Sequence, residues 1–204
     1  MYRYEKSTGQ FRNIKTGRFA PLSDVEDAIA TEVFSLQNRL GQHGADYADG
    51  IIDLSTFQAR MATDIKDSHI RMGAIGAGGH KRLSRRSYGV IGGRLSNEYT
   101  EYLYKFGRDL ADNDYSREYI VYRSKLYARS PRQTFHAVRL LTLRQDGDFE
   151  GWRKLGDAQH CKDCPLHATN GWVSLDQIIP IGAKCECRGN CKCTVVYRNT
   201  GFIQ

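Results

Sequence analysis

All six cysteines of this 204-residue chain fall within its last 44 positions, as Cys161-x-x-Cys164 followed by Cys185, Cys187, Cys191 and Cys193. A CxxC knuckle holds two thiolates on one turn. A second cysteine group roughly twenty residues on lets a loop close around a shared ion. The chain therefore divides into a cysteine-free body and a short stapled tail. Residues 149–204 hold too little apolar surface to fold unaided, so a metal or a disulfide staple is required there. Zinc is the expected ion, because it accepts four thiolates tetrahedrally and a closed four-ligand site leaves no position for a water nucleophile. Cys161 and Cys164 form one knuckle. The second pair comes from Cys187, Cys191 and Cys193, with Cys187 and Cys191 the first choice, Cys193 a replacement and Cys185 in excess. His160 and His167 flank the first knuckle and could each substitute. Disulfides are the alternative in an oxidising medium, and a thioredoxin-like redox pair fits poorly because no βαβ pattern surrounds the CxxC.

The cysteine-free part reads as helical. Residues 1–22 are expected to form an extended arm carrying two Thr-Gly-x-Phe units, at Thr8-Gly9-Gln10-Phe11 and Thr16-Gly17-Arg18-Phe19. Thr-Gly steps suit turns, each followed by one aromatic anchor. Ser23-x-x-Glu26 is a capping box. Val25, Ile29, Val33, Leu36 and Leu40 then recur at helical spacing, with a stop expected near Gly41 or Gly44. A second helix starts at Ser55 with Phe57, Met61, Ile65, His69 and Met72 on one stripe, His69 lying at the core edge or the surface. The stretch from Gly73 to Arg82 reads as a flexible hinge, since it lacks the Gly-Lys-Ser/Thr ending of a phosphate loop. Ser84 caps a third helix with a stripe of Tyr88, Ile91, Leu95, Tyr99, Tyr102, Phe106 and Leu110, read as core rather than as base-stacking surface. Ser116 caps a fourth carrying Tyr119, Tyr122, Leu126 and Tyr127, and Pro131 opens a fifth with Ser130 as its cap. The predicted fold class is mainly α: an N-terminal arm (1–22), a helical bundle body (23–148) and a cysteine-rich β-hairpin module (149–204). Strands are expected at Trp172-Val173, Ile178-Ile179 and Thr194–Tyr197, and turns at Asn170-Gly171, Ile181-Gly182 and Gly189-Asn190.

The formal net charge is +7, unevenly distributed. Residues 76–145 carry fourteen basic and six acidic side chains, whereas residues 21–75 carry four and nine. A basic middle favours an anionic neighbour such as nucleic acid or an acidic protein face. Lys81, Arg82, Arg85 and Arg86 are the candidate contacts. There is no run of eighteen apolar residues, and the first residues lack an apolar signal core, so neither a membrane span nor secretion is expected. Catalysis lacks a constellation: no His-x-Glu precedes the CxxC, no His-Glu-x-x-His occurs, and there is no Gly-x-Ser-x-Gly elbow. The protein is therefore expected not to be an enzyme.

The tail pattern His160-Cys161-x-x-Cys164-Pro165, Gly171-Trp172, Pro180-x-Gly182 and Cys187-x-x-x-Cys191-Lys192-Cys193 resembles the C-terminal segment of phage head morphogenesis proteins, the Mu F-like minor capsid proteins of tailed phages. The two Thr-Gly-x-Phe units, the glycine-rich stretch and the Ser84-x-x-x-Tyr88 helix start are similar to short members of that family. Lys192 stands where many relatives have arginine or histidine, and Cys185 is an addition. The resemblance implies a virion protein of the head or head–tail region, made in the bacterial host cytoplasm. It would be present in multiple copies in a symmetric assembly beside portal or major capsid protein and packaged DNA. The alternative from the residues themselves is a nucleic-acid-binding zinc protein with no capsid role.

Overall fold

The computed structural model describes residues 2–5, 8, 10–187 and 190–201. Gly9 of the first Thr-Gly unit and Gly189 of the expected Gly189-Asn190 turn lie outside the described residues. The molecule is mainly helical, with one small antiparallel sheet at each end of the chain.

The arm is a sheet rather than an extended segment. Strands β1 (Tyr2–Glu5), β2 (Gln10–Asn13) and β3 (Phe19–Ala20) form a meander, with Tyr4 opposite Phe11 and Phe11 opposite Ala20. Strand alternation puts Tyr4, Phe11 and Ala20 on one face, and all three are buried. Of the two aromatic anchors only Phe11 reaches the core. Phe19 lies on the outer face under the Arg12 guanidinium, 4.2 Å from its ring centre. The second Thr-Gly step does make a turn, because Gly17 takes the left-handed conformation at φ 69° that closes β2 onto β3.

Helix α1 (Leu22–Ala48) begins two residues earlier than a Ser23 cap would place it, after an extended Pro21 that makes no side-chain cap, so Ser23 lies inside the first turn. It also runs through Gly41 and Gly44. These glycines are places of close approach rather than helix ends. A Cβ on Gly44 would lie 2.7 Å from Ser124 Oγ and 3.2 Å from the Ile120 carbonyl of helix α5 (Arg117–Leu126). The helix ends instead at Asp49 and Gly50.

Asp53 caps α2 (Leu54–Ala77) through Thr56 N at 2.7 Å. Most of the expected hinge belongs to this helix. Gly76 faces α6 (Ser130–Asp146), and a Cβ there would sit 2.5 Å from the Phe135 carbonyl. The chain leaves α2 only at Gly78, a left-handed cap pressed against Tyr4 of the arm.

Helix α3 (Arg85–Glu98) starts at Ser84 with a reciprocal capping box to Ser87. A π turn (Tyr99–Leu103) then joins it to α4 (Tyr104–Asp112). That turn inserts an extra residue into the helical count and breaks the expected stripe. Leu103, Phe106 and Leu110 are buried, while Tyr88 and Tyr102 are half exposed. Of the stripe expected in the fourth helix, Tyr127 is buried but Tyr119 and Tyr122 are exposed, and α5 buries Ile120 and Ser124 instead. The tyrosine-rich faces are therefore largely surface. Ser130 is the first residue of α6 rather than its cap, with Pro131 in the first turn as expected.

The tail contributes β4 (Phe149–Lys154), the short helix α7 (Asp163–Ala168), β5 (Val173–Ser174) and β6 (Thr194–Asn199). The sheet order is β5-β4-β6, all antiparallel. The expected hairpin is thus a three-stranded sheet whose central strand, β4, carries no sequence signal strong enough to mark it, and Ile178-Ile179 is not a strand. A single apolar cluster joins Tyr4 and Phe11 of the arm, Val25 of α1, Phe135 and Leu143 of α6, and Ile178, Ile181 and Val195 of the tail. A second cluster, from Leu36, Phe57, Met61, Phe106 and Ile120, fills the opposite end of the bundle.

Candidate metal centre

The tail's sulfurs converge on Cys164. Helix α7 opens with the CxxC turn, so Cys161 and Cys164 face the same way, with their Sγ atoms 3.6 Å apart. The loop from Ile181 returns beneath that turn and brings Cys187 Sγ and Cys191 Sγ each to 3.7 Å from Cys164 Sγ. For thiolates bound at about 2.3 Å, the edge of a metal tetrahedron is about 3.8 Å, so these separations match what a shared ion requires. All six cysteines are free thiols, and these contacts are far longer than the roughly 2.05 Å of a disulfide bond. Cys164, Cys191 and Cys193 are essentially solvent-free, and Cys185 is buried as well.

The expected ligands Cys161, Cys164, Cys187, Cys191 and Cys193 all lie in this cluster. Cys185, expected to be in excess, lies in it too, within 4.8 Å of Cys161 and Cys164. Lys184, with φ at 49°, takes the left-handed backbone turn that directs it there. The two flanking histidines separate. His167 Nε2 hydrogen-bonds the Lys184 carbonyl at 3.1 Å. His160 Nε2 donates to the Gly156 carbonyl at 2.7 Å. That bond fixes the proton on Nε2 and turns the Nδ1 lone pair toward Cys193 Sγ, 3.9 Å away. A carbonyl partner of this kind is the usual support of a ligating imidazole.

Arg153 is the residue the sequence reading missed. Its alternation on β4 puts Phe149, Gly151 and Arg153 on the buried face. Arg153 is only 3 % exposed, and its Nη2 lies 3.2 Å from Cys191 Sγ, 3.9 Å from Cys185 Sγ and 4.0 Å from Cys164 Sγ. Burial works against its charge, but hydrogen bonds to Cys191 and Cys193 outweigh that and raise its pKa. The effect is reciprocal. Burial opposes ionisation of Cys191, yet the Cys193 amide and Arg153 together bring it down to about 7. Cys161 falls to about 6, chiefly through a hydrogen bond with Cys187. Cys164, desolvated and surrounded by other thiols, moves strongly upward. A thiolate-rich pocket with one buried cation suits a divalent, sulfur-loving ion.

Helix α6 holds this tail in place. Arg132 donates to the Cys191 and Cys193 carbonyls, the latter at 3.0 Å, and Arg144 donates to the Leu175 carbonyl at 2.7 Å. Between them Arg139, almost fully buried, stacks on Tyr4 at 3.6 Å, on Phe11 at 4.7 Å and near Tyr197 at 5.8 Å. One side chain thus touches arm, body and tail.

No protein-family model, curated protein or solved structure matches this chain.

The basic residues divide. Arg82 is engaged internally, bonded to the Asp146 carboxylate through Nη2 at 2.7 and 2.5 Å. Lys81, Arg85 and Arg86 are exposed and make no ion pair among the described residues. Arg117 pairs with Asp49, and Arg132, Arg139 and Arg144 serve the tail, so much of the positive charge of residues 76–145 has an internal role.

A cleft of about 920 Å³ lies beside the tail, lined by Arg94, Glu98, Tyr102, Arg123, Arg129 and Lys184 among others. At its floor His69 is fully buried, a correction to its expected edge position. Its Nε2 lies 3.0 Å from Glu98 Oε2 and its Nδ1 2.7 Å from Thr134 Oγ1. Ser130 Oγ donates to Glu98 at 2.5 Å. Ser130 Oγ also lies 3.1 Å from His69 Nε2, so His69, Glu98, Ser130 and Thr134 form one polar network joining α2, α3 and α6.

Proposed function

We propose that this protein is a non-catalytic assembly component of a tailed-phage head, a helical body whose C-terminal sheet is stapled by zinc and which works beside portal or coat protein. The observation that carries the reading is the convergence of the tail thiols around Cys164 at 3.6–3.7 Å, on the cysteine pattern that resembles the phage head morphogenesis family. Zinc would be held by the cysteine cluster, with His160 as a nitrogen donor, and would supply a closed structural crosslink rather than an activated water. No helix is long and apolar enough to cross a membrane. Tyr88, Tyr102, Tyr104, Tyr119 and Tyr122 are exposed on the body, the kind of side chain that anchors protein interfaces.

The test is composition and salt response. Particles assembled with this protein should retain it through a 1 M salt wash, together with portal or coat protein. Its absence from purified particles would end the proposal. The second reading, a nucleic-acid-binding zinc protein, draws on the same exposed tyrosines and on Lys81, Arg85 and Arg86. It requires DNA affinity that falls steeply with salt, with a slope of about −0.9 per phosphate neutralised.

A further inference from the structure

We infer that the tail holds two metal ions, not one, with Cys164 as a thiolate bridge between them; this rests on the metal-stapled reading above. Seven donors meet in the cluster: six cysteine sulfurs and the Nδ1 of His160. One tetrahedral ion would use four and leave three, among them thiols sealed from solvent. Two tetrahedral ions need eight bonds, and seven donors with one shared supply eight.

The shared donor is identified by position. The sets whose ligand atoms lie within 4.8 Å of one another are His160–Cys164–Cys193, Cys161–Cys164–Cys185 and Cys164–Cys187–Cys191. Cys164 belongs to all three, is fully buried, and lies 3.6–3.7 Å from three other sulfurs. The remaining donors divide around it. Cys161 and Cys185 form one pair beside it, and Cys187 and Cys191 a second. His160 and Cys193 form the third, so two ions that share Cys164 would take three of these six donors each. Two divalent ions and six thiolates leave the cluster anionic. Arg153, a buried cation directed at Cys164, Cys185 and Cys191, compensates that excess from the body side. The arrangement also gives a role to Cys185 and Cys193, which a single site on Cys161, Cys164, Cys187 and Cys191 does not use.

The experiment is metal stoichiometry on the full chain purified under reducing conditions, by mass spectrometry of the metal and by ¹¹³Cd NMR after exchange. The expected result is about two zinc ions per chain and two cadmium resonances in the shift range of sulfur-rich sites. The β-protons of Cys164 should couple to both. Cys193→Ser and His160→Ala should each reduce zinc from about two to about one while the helical circular dichroism stays unchanged, and Cys164→Ser should lose both. One zinc and one cadmium resonance in the unmodified chain would overturn the two-ion site and leave the structural metal standing. No zinc in a protease-resistant tail would overturn both. The spectrum of the unmodified protein decides the matter even if Cys164→Ser does not fold.

Discussion

Arg153 and His136 show how single buried groups set the behaviour of the tail and the body. Arg153 donates to the sulfurs rather than binding metal itself, so Arg153→Leu should leave the fold intact and weaken zinc retention about 10- to 100-fold, measured by competition with a chromogenic chelator. His136 is 5 % exposed on α6, and its pKa lies well below 6.5, first because burial penalises the charged ring and then because Arg132, Arg153 and Arg94 are near. A depressed folded value means that the unfolded chain takes up the proton first as pH falls. The contribution of His136 to stability is therefore complete above about pH 6.5 and is lost below it, at up to about 1.4 kcal/mol per pH unit until the folded value is reached. If the tail holds zinc as proposed, protonation of its thiolates adds its own acid sensitivity. His136→Gln should remove only the first contribution, so urea denaturation at pH 7.5 and pH 5 should show a smaller acid loss in the variant. Equal losses would mean that His136 is charged in the folded state.

At the scale of elements, the glycines discriminate between packing and slack. Gly76 lets α2 approach α6 so closely that a Cβ would meet the Phe135 carbonyl at 2.5 Å, a rigid backbone neighbour. Gly76→Ala should cost about 1–3 kcal/mol in thermal or urea unfolding. Gly92 lies on the exposed face of α3 with nothing within 4 Å of its absent Cβ, so Gly92→Ala should stabilise by about 0.5–1 kcal/mol. From sequence Gly76 reads as part of a flexible hinge. The opposite signs come from α6 lying against Gly76 and nothing lying within 4 Å at Gly92. The same limit applies to the α3–α4 stripe. Its members Ile91, Phe106 and Leu110 are buried as expected, but the π turn at Tyr99–Leu103 adds a residue and Leu103 is buried in place of Tyr102. Nothing local in Tyr99-Thr100-Glu101-Tyr102-Leu103 announces that extra residue.

For the molecule as a whole, the continuous apolar cluster couples the arm to the cysteine cluster. Tyr4 and Phe11 pack in the same cluster as Cys164, Ile178 and Val195, and Arg139 bridges Tyr4 to Tyr197. Stripping the metal should therefore raise amide hydrogen exchange in residues 155–199 and also in the arm strands β1 and β2, although the arm has no ligand. The separate cluster around Phe57, Met61 and Phe106 should keep α1, α2 and α4 protected, so most of the helical signal survives. Exchange confined to the tail would mean that arm and tail are energetically independent despite their contact.

The sequence by itself determined the helical class of the body, the Ser84 and Ser116 caps and the grouping of the thiols, because each depends on residues close together along the chain. Only the tertiary structure decided that Cys185 and His160 belong with the other donors, that Arg153 and Arg139 are buried among them, and that the arm is a sheet on the core. Those outcomes depend on which strand lies centrally in the tail and how closely α2 meets α6. They are set by burial between segments well separated along the chain, a quantity that local pattern does not carry.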